Sequence, residues 1–333
     1  MQANFRGKHL ITLREWTKEE IETLMEVSFD LKKKFALGIS TKYLEDQTIF
    51  LMFFEASTRT RNSMEAGITQ LGGHAHFLDT STMQISHGET PKDTAIILSR
   101  FGHGIACRLC AWNTGNKYIR EMAKWAPVPV INLQCDLYHP LQGLADLMTI
   151  IEKFGNTKGV NVSIIWAYAT SHKKPISVPV TQVLLFPRFG MNVTIAYPKG
   201  YDLPEWVYEE ARENARKHGG SLKITHDQEE AYRNADVVIP KNWGNWVTDQ
   251  SGDTTSSNIL DESLKVWKCT LNLIKKANSE CIYMHALPAD RKNEVEDEVI
   301  DGKWSVVYDE AENRLHTSKA VMALTMGGRN SSR

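Results

Sequence analysis

The sequence predicts an α/β protein of two doubly wound parallel-sheet domains, and three observations predict it. Short apolar runs alternate with amphipathic helical segments along nearly the whole chain. Several of the helical segments stop at glycine, the residue that accepts the left-handed turn closing a helix. The alternation pauses at "GNTKG" (155–159) and restarts, dividing 333 residues into two parts of ordinary domain size.

The elements follow in order. Thr17 with Glu20 three residues on is a capping-box pattern, and the periodic stretch after it runs to Gly38. "TIFLMFF" (48–54) is an apolar run suited to a buried strand, "RNSMEAGITQLGG" (61–73) a helix closed by glycine, and "HAHFLD" the next strand. A helix over 90–102, the strand "GIACRL", the helix "NKYIREMAKWA", the strand "VPVINL" and a helix over 141–155 complete the first half. The second half opens with "VNVSIIWAY" as a strand and "VTQVLLFPRFG" as a helix interrupted at Pro187. Strands at "MNVTIAYP", "SLKIT" and "DVVIP" alternate with helices at "PEWVYEEARENARKHGG" and "DQEEAYRNA". The polar stretch 242–258 is too long for a plain connection and reads as a functional loop. "CIYMHALP" and "WSVVYDE" are expected as the last strands, and "AENRLHTSKAVMALTMGG" as a closing helix. The expected domains are 1–150, with 311–333 returning to it, and 151–310.

Composition narrows the function classes. A net charge of −1 with no basic block gives no bulk attraction for nucleic acid or membrane surface, so a bound anion must be held by local groups. The opening residues lack the apolar core of a secretory signal, and no run reaches about 18 apolar residues, so a cytoplasmic protein is expected. Five cysteines are scattered; Cys107 and Cys110 form one C-x-x-C in an apolar segment, with no second pair at zinc spacing, and read as buried thiols. No G-x-G-x-x-G follows a strand, which argues against a nicotinamide dehydrogenase.

Three segments stand where α/β sheets bind ligands, at the carboxyl ends of strands, and a fourth candidate lies inside a strand. "EASTRTR" (55–61) lies between a strand and a helix start, where free N–H groups and the dipole suit phosphate. Ser57, Thr58 and Thr60 add hydroxyls there and Arg59 a guanidinium fork; alone, the segment reads equally as a capped helix with surface arginines. "DLYHPLQGLAD" (136–146) places His139 and Gln142 at a strand-to-helix switch, and the following proline favours a fixed, outward-facing ring. "MHALPADR" (284–291) places His285 and the Leu287 carbonyl after an apolar strand. Arg108 sits within an otherwise apolar strand, so a carboxylate or a ligand must face it.

"STRT", an arginine in "ACRL", "HPLQGLAD", "HALP" and "DEAENRLH" occur in the order and spacing of the aspartate and ornithine carbamoyltransferases. The chain resembles that family over nearly its whole length. The resemblance implies a carbamoyl-phosphate domain and an acceptor domain with the active site between them, a homotrimer, and no metal or organic cofactor. By position, Ser57, Thr58, Arg59 and Thr60 resemble the phosphate cradle, and Arg108, His139 and Gln142 the groups on the carbamoyl oxygen and amide. The Leu287 carbonyl would accept from the carbamoyl NH2, and Arg314 resembles an arginine near carbamoyl phosphate in the ornithine-type branch. Thr60, Arg108 and His139 would stabilise the charge on oxygen in the tetrahedral intermediate. In the family a neighbouring subunit's loop completes the site; its counterpart is "STMQISHGET", with His87 where the aspartate branch has lysine, and Gln84 nearby.

The acceptor side departs from the well-known members. "KNWGNW" (241–246) replaces the Asp and Ser-Met-Gly of ornithine enzymes, and Ala286 replaces the cysteine of H-C-L-P. "KNW" and "SHKKPISVP" (171–179) look like the N-acetylornithine and N-succinylornithine branch, and with "NLQCD", "HGET" and "WAY" like an orphan branch suspected to be catabolic. There the proline-containing loop is threaded, so the resemblance implies a trefoil knot. Lys241 is expected to contact the acceptor; the alternative is a surface lysine. Trp243 and Trp246 either close over the substrate or anchor the loop, and Lys173 and Lys174 either meet an anionic acceptor or are solvated. A non-catalytic phosphate-ligand-binding member of the fold is the alternative to an enzyme.

Overall fold

The computed structural model describes residues 5–170, 174–245 and 261–327, without the side chains of Ser86 and His87. These residues form two compact units. Unit 1 holds the described residues up to Met148 and those from Glu312 onward; unit 2 is Thr149–Ala311. Both divisions fall inside helices rather than in linkers.

Unit 1 carries a four-stranded, all-parallel sheet in the order β2-β1-β3-β4. Its strands are β1 (Thr48–Phe53), β2 (His74–Asp79), β3 (Gly104–Leu109) and β4 (Val130–Cys135). Its helices are α1 (Lys18–Ala36), α2 (Arg59–Gln70), α3 (Pro91–Phe101), α4 (Gly115–Trp125) and α5 (Pro140–Phe154), the last passing into unit 2. The capping box at α1 is present, with Thr17 and Glu20 each satisfying a backbone N–H of the other's residue. Every β4 residue is buried, including Asn132, whose side-chain amide donates to the Ile11 carbonyl at 2.8 Å. β3 stops at Leu109, so Cys107 is buried in the strand while Cys110 lies beyond its end, half-buried.

Unit 2 carries a five-stranded parallel sheet in the order β7-β6-β5-β8-β9. It comprises β5 (Asn161–Trp166), α6 (Ser177–Leu185), β6 (Asn192–Ala196), α7 (Glu205–His218), β7 (Ser221–Thr225), α8 (Gln228–Tyr232) and β8 (Val237–Lys241). The helix interrupted at Pro187 becomes α6 followed by a 3-10 turn, Phe186–Phe189. Two single-turn helices follow, α9 (Leu271–Ile274) and α10 (Asp297–Ile300), with β9 (Ile282–Tyr283) between them.

Two expected strands are corrected. β9 is only two residues long, because the His285 N–H donates to the Glu310 carboxylate at 2.7 Å instead of continuing the ladder. "WSVVYDE" is not a strand. It makes one isolated bridge, Tyr283 to Ser305, and from Val307 it is the start of the 20-residue helix α11 (Val307–Met326). Glu310 is held on that helix, where its carboxylate meets the end of β9. In unit 1, α11 packs against α2 so closely that a Cβ on Gly67 would lie 3.0 Å from Met322 Cε.

Candidate active site

In each sheet the strand order reverses once, between β1 and β3 in unit 1 and between β5 and β8 in unit 2. Parallel sheets bind ligands at the carboxyl ends of strands beside such a reversal. Most of the residues singled out in the sequence lie at those two places.

In unit 1, Ser57 and Thr58 follow β1, and Arg59 and Thr60 open α2. Thr58 is the N-cap, yet its side chain makes no capping hydrogen bond. That leaves the first N–H groups of a 12-residue helix without a side-chain cap. Arg108 is the fifth residue of β3, at a register shift between Cys107 and Arg108 in the pairing with β4. Such bulges re-aim side chains. The Arg108 Nε lies 3.9 Å from Glu55, whose other carboxylate oxygen accepts the Cys110 N–H at 2.8 Å.

His139 corrects an expectation: its ring is buried, not outward-facing. The loop before it is pinned by the Cys135 N–H donating to the Tyr138 carbonyl at 2.9 Å and by the Tyr138 hydroxyl meeting Arg14 at 3.0 Å. Beyond it, α5 carries Gln142. The Arg314 guanidinium, brought in by α11, donates to Gln142 Oε1 at 2.7 Å and to Thr60 Oγ1 at 2.8 Å. The Gln142 amide in turn donates to Asp146 at 2.7 Å, which fixes which end of the amide faces Arg314. All four are buried.

The electrostatics point one way. Burial, and then the charges of Arg314 and Arg108, push the His139 pKa well below its ordinary value, so its ring is neutral. Burial and the neighbouring Arg108 charge also lower the pKa of Arg59. Among the described residues no hydrogen bond or ion pair engages the Arg59 guanidinium. Like charges held together at a strand end and a helix N-terminus suit an anion. Arg61, in contrast, pairs with Glu65 at 2.8 Å and stacks 3.5 Å over Phe77, away from this chemistry. Gln84 is exposed in a 3-10 turn, Gln84–His87; the His87 side chain lies outside the description.

In unit 2, Lys241 ends β8 opposite Trp166 of β5. Its ammonium lies 3.5 Å from Glu294, and so does that of Lys174. His285 Nε2 is 3.4 Å from the same carboxylate. Glu294 is fully buried. Burial pushes its pKa up, but Lys241, His285 and Lys174 outweigh this and hold it far below the carboxylate range. Sequence reasoning missed Glu294, because "ADRKNEVEDE" reads as a solvated charged run. It missed Asp146 as well, although the spacing of four from Gln142 on a helix was a usable signal.

Leu287 has φ +45°, a conformation strained for any residue with a Cβ, and its N–H donates to His285 Nδ1 at 2.9 Å. Trp243 is an anchor, not a lid. It is fully buried, its indole N–H donates to the Tyr201 carbonyl at 2.9 Å, and its own carbonyl accepts from Trp166 at 2.8 Å. Lys173, with residues 171 and 172 of the loop expected to be threaded in a knot, and Trp246 lie outside the described residues.

Residues 8–152 match the carbamoyl-P binding domain of aspartate/ornithine carbamoyltransferases, and residues 158–325 the Asp/Orn binding domain. The chain belongs to the aspartate/ornithine carbamoyltransferase family. It is 37% identical to the ornithine carbamoyltransferase of Thermococcus kodakarensis, over 98% of this chain and 99% of that protein. The solved ornithine carbamoyltransferase of Pyrococcus furiosus superimposes with a TM-score of 0.88 at 37% identity, covering 98% of this carbamoyltransferase and 100% of the other. An acetylornithine transcarbamylase solved with acetylcitrulline gives 0.88 at 29% identity, over 97% and 100% of the two chains. Both branches are therefore structural neighbours, and the chain is an enzyme of the carbamoyl-transferring class. Among its described residues no helix is long and apolar enough to cross a membrane.

Proposed function

We propose that this enzyme moves a carbamoyl group between carbamoyl phosphate, held by unit 1, and an amino or amide acceptor other than ornithine, held by unit 2. The observation that carries the donor half is that Arg108 and Arg314 bear on the buried, neutral His139 while Arg59, at the α2 N-terminus, neighbours Arg108. In this reading Ser57, Thr58, Arg59 and the α2 N-terminus hold the phosphate, with Arg314 fixed beside Thr60 and Gln142. A neutral imidazole donates one N–H to the carbamoyl oxygen without transferring a proton. Thr60 and Arg108 add donors to the same oxygen as charge develops there. The acceptor attacks as a neutral amine, the carbon–oxygen bond to phosphate breaks, and phosphate departs as an anion against Arg59 with the proton that the amine sheds.

The acceptor half favours an acylated or anionic partner. Where ornithine enzymes carry an acid after this strand, Lys241 stands instead, with Lys174 on the same carboxylate. A second ammonium on the substrate would meet like charge there, whereas a carboxylate or carbonyl would be received. The same site serves either direction of transfer, including a catabolic one that splits a ureido compound with phosphate to give carbamoyl phosphate.

Thermal unfolding with carbamoyl phosphate, with inorganic phosphate, and with an Arg59→Ala variant tests the donor half. At 100 times its dissociation constant the donor should stabilise the wild type by about 2.7 kcal/mol, and the variant should show no shift. A panel of ornithine, N-acylated ornithines and ureido acids then tests the acceptor half. Equal stabilisation of variant and wild type, or turnover confined to ornithine, defeats the corresponding half.

A further inference from the structure

We infer that Glu294 is a positioning residue of unit 2, fixing Lys174 and Lys241 for the acceptor directly and, through His285, the Leu287 backbone expected to meet the carbamoyl group. The inference rests on the proposed role of unit 2 in holding the acceptor.

Five groups converge on this one carboxylate. Oε1 accepts the Asn242 N–H at 2.8 Å and faces the Lys241 ammonium at 3.5 Å. Oε2 accepts the Asp290 N–H at 2.6 Å and faces Lys174 at 3.5 Å and His285 Nε2 at 3.4 Å. A carboxylate whose task was to close the 290–294 turn would need only the Asp290 N–H. The three side chains come from distant parts of the chain, at positions 174, 241 and 285, and each is brought to the same two oxygens.

The histidine arm has a defined polarity. Since the Leu287 N–H donates to Nδ1, the neutral ring carries its proton on Nε2, the atom facing Glu294. Glu294 thereby orients the ring, and the ring holds the Leu287 N–H while that residue sits at positive φ. A strained backbone persists where its surroundings over-determine it, and here the determinant traces back to a buried acid. The Lys241 arm works without an intermediary: an ion pair at 3.5 Å fixes the position of the charge that an acceptor would meet.

Glu294→Gln, Glu294→Asp and His285→Asn in the full chain provide the test. Glu294→Gln keeps the shape but loses the charge; Glu294→Asp keeps the charge. His285→Asn leaves an oxygen for the Leu287 N–H and removes the Nε2 arm. The thermal shift with inorganic phosphate controls for folding and for the phosphate cradle of unit 1, to which none of these residues belongs. With the acceptor that turns over in the panel, Glu294→Gln and His285→Asn should raise its KM by about tenfold or more, with a smaller fall in kcat. Glu294→Asp should recover most of that loss.

Nitrogen-15 spectra of histidine-labelled protein, with His285→Asn giving the assignment, should show His285 as the Nε2–H tautomer and its Nε2 proton moving upfield in Glu294→Gln. An unchanged acceptor KM in both variants overturns the inference, as does an Nδ1–H tautomer in the wild type. If no acceptor in the panel turns over, the proposed function fails separately, and the tautomer and the upfield shift still decide the role of Glu294.

Discussion

Unit 1 gathers Arg59, Arg108 and Arg314 near a neutral histidine, with Glu55 no closer than 3.9 Å to the Arg108 Nε. Unit 2 gathers Lys174, Lys241 and His285 around a carboxylate that belongs to the chain itself. In the first, the Arg59 guanidinium engages no hydrogen bond or ion pair among the described residues, and an anionic ligand would supply one. The second is complete before any ligand arrives, so its role is to hold donors in fixed places. The comparison teaches that removing a charged residue should act in opposite directions in the two units.

The largest effect should come from unit 2. Glu294→Ala leaves two lysines, a histidine and two backbone N–H groups without their common acceptor, and breaking a buried charge cluster in this way costs about 3–5 kcal/mol. Arg59→Ala relieves repulsion with Arg108, so the ligand-free variant should be as stable as the wild type or more so. Urea midpoints of the two variants, measured without phosphate, decide the matter. A similar loss of stability in both would erase the distinction between the units.

Acid titration sharpens the contrast at a smaller scale. His139 and His285 both have folded pKa values below the ordinary 6.5, with burial the first cause in each. A depressed histidine stabilises the fold above its unfolded pKa, and that stability is lost as the pH falls toward the folded value. Each should therefore contribute a loss of about 1.4 kcal/mol per pH unit below about pH 6.5. For His139 the neighbouring charges, Arg314 and Arg108, lower the pKa further; for His285, Glu294 raises it while Lys241 and Lys174 lower it. His139→Gln should flatten the stability profile to lower pH than His285→Gln does. Identical profiles would mean that the two rings lie in equivalent fields.

Much of this was legible in the sequence, and the rest was not for identifiable reasons. The strand and helix alternation was readable because most parallel strands are short apolar runs and some helices announce their start with a cap, as at Thr17. "WSVVYDE" misled because three adjacent apolar residues fit a strand as well as the first turn of a buried helix, and Glu310 bonding to His285 decides for the helix. The ligand-facing candidates were readable because their residue types follow strands. Their partners were not: Arg314 meets Thr60 across 254 positions, and Glu294 meets Asn242 across 52. No periodicity carries such pairings. The burial of His139 was missed because the proline after it speaks only to backbone geometry, while Tyr138 and Cys135 determine which way the loop folds.

Trp243 gives the smallest predicted effect. As a lid over a substrate it would contribute nothing to the ligand-free fold, and its replacement would cost acceptor affinity alone. Its indole N–H instead donates to the Tyr201 carbonyl, and its ring lies 6.4 Å from that of Tyr197 at a T-shaped angle. Trp243→Phe should therefore lose one buried hydrogen bond and some contact area, about 1–3 kcal/mol in a urea titration without ligand. An unaltered midpoint would return the residue to the role of a lid. A lowered one would fix the chain after Lys241 as part of the rigid frame, so that the lysine facing Glu294 extends from a backbone already held in place on the following side.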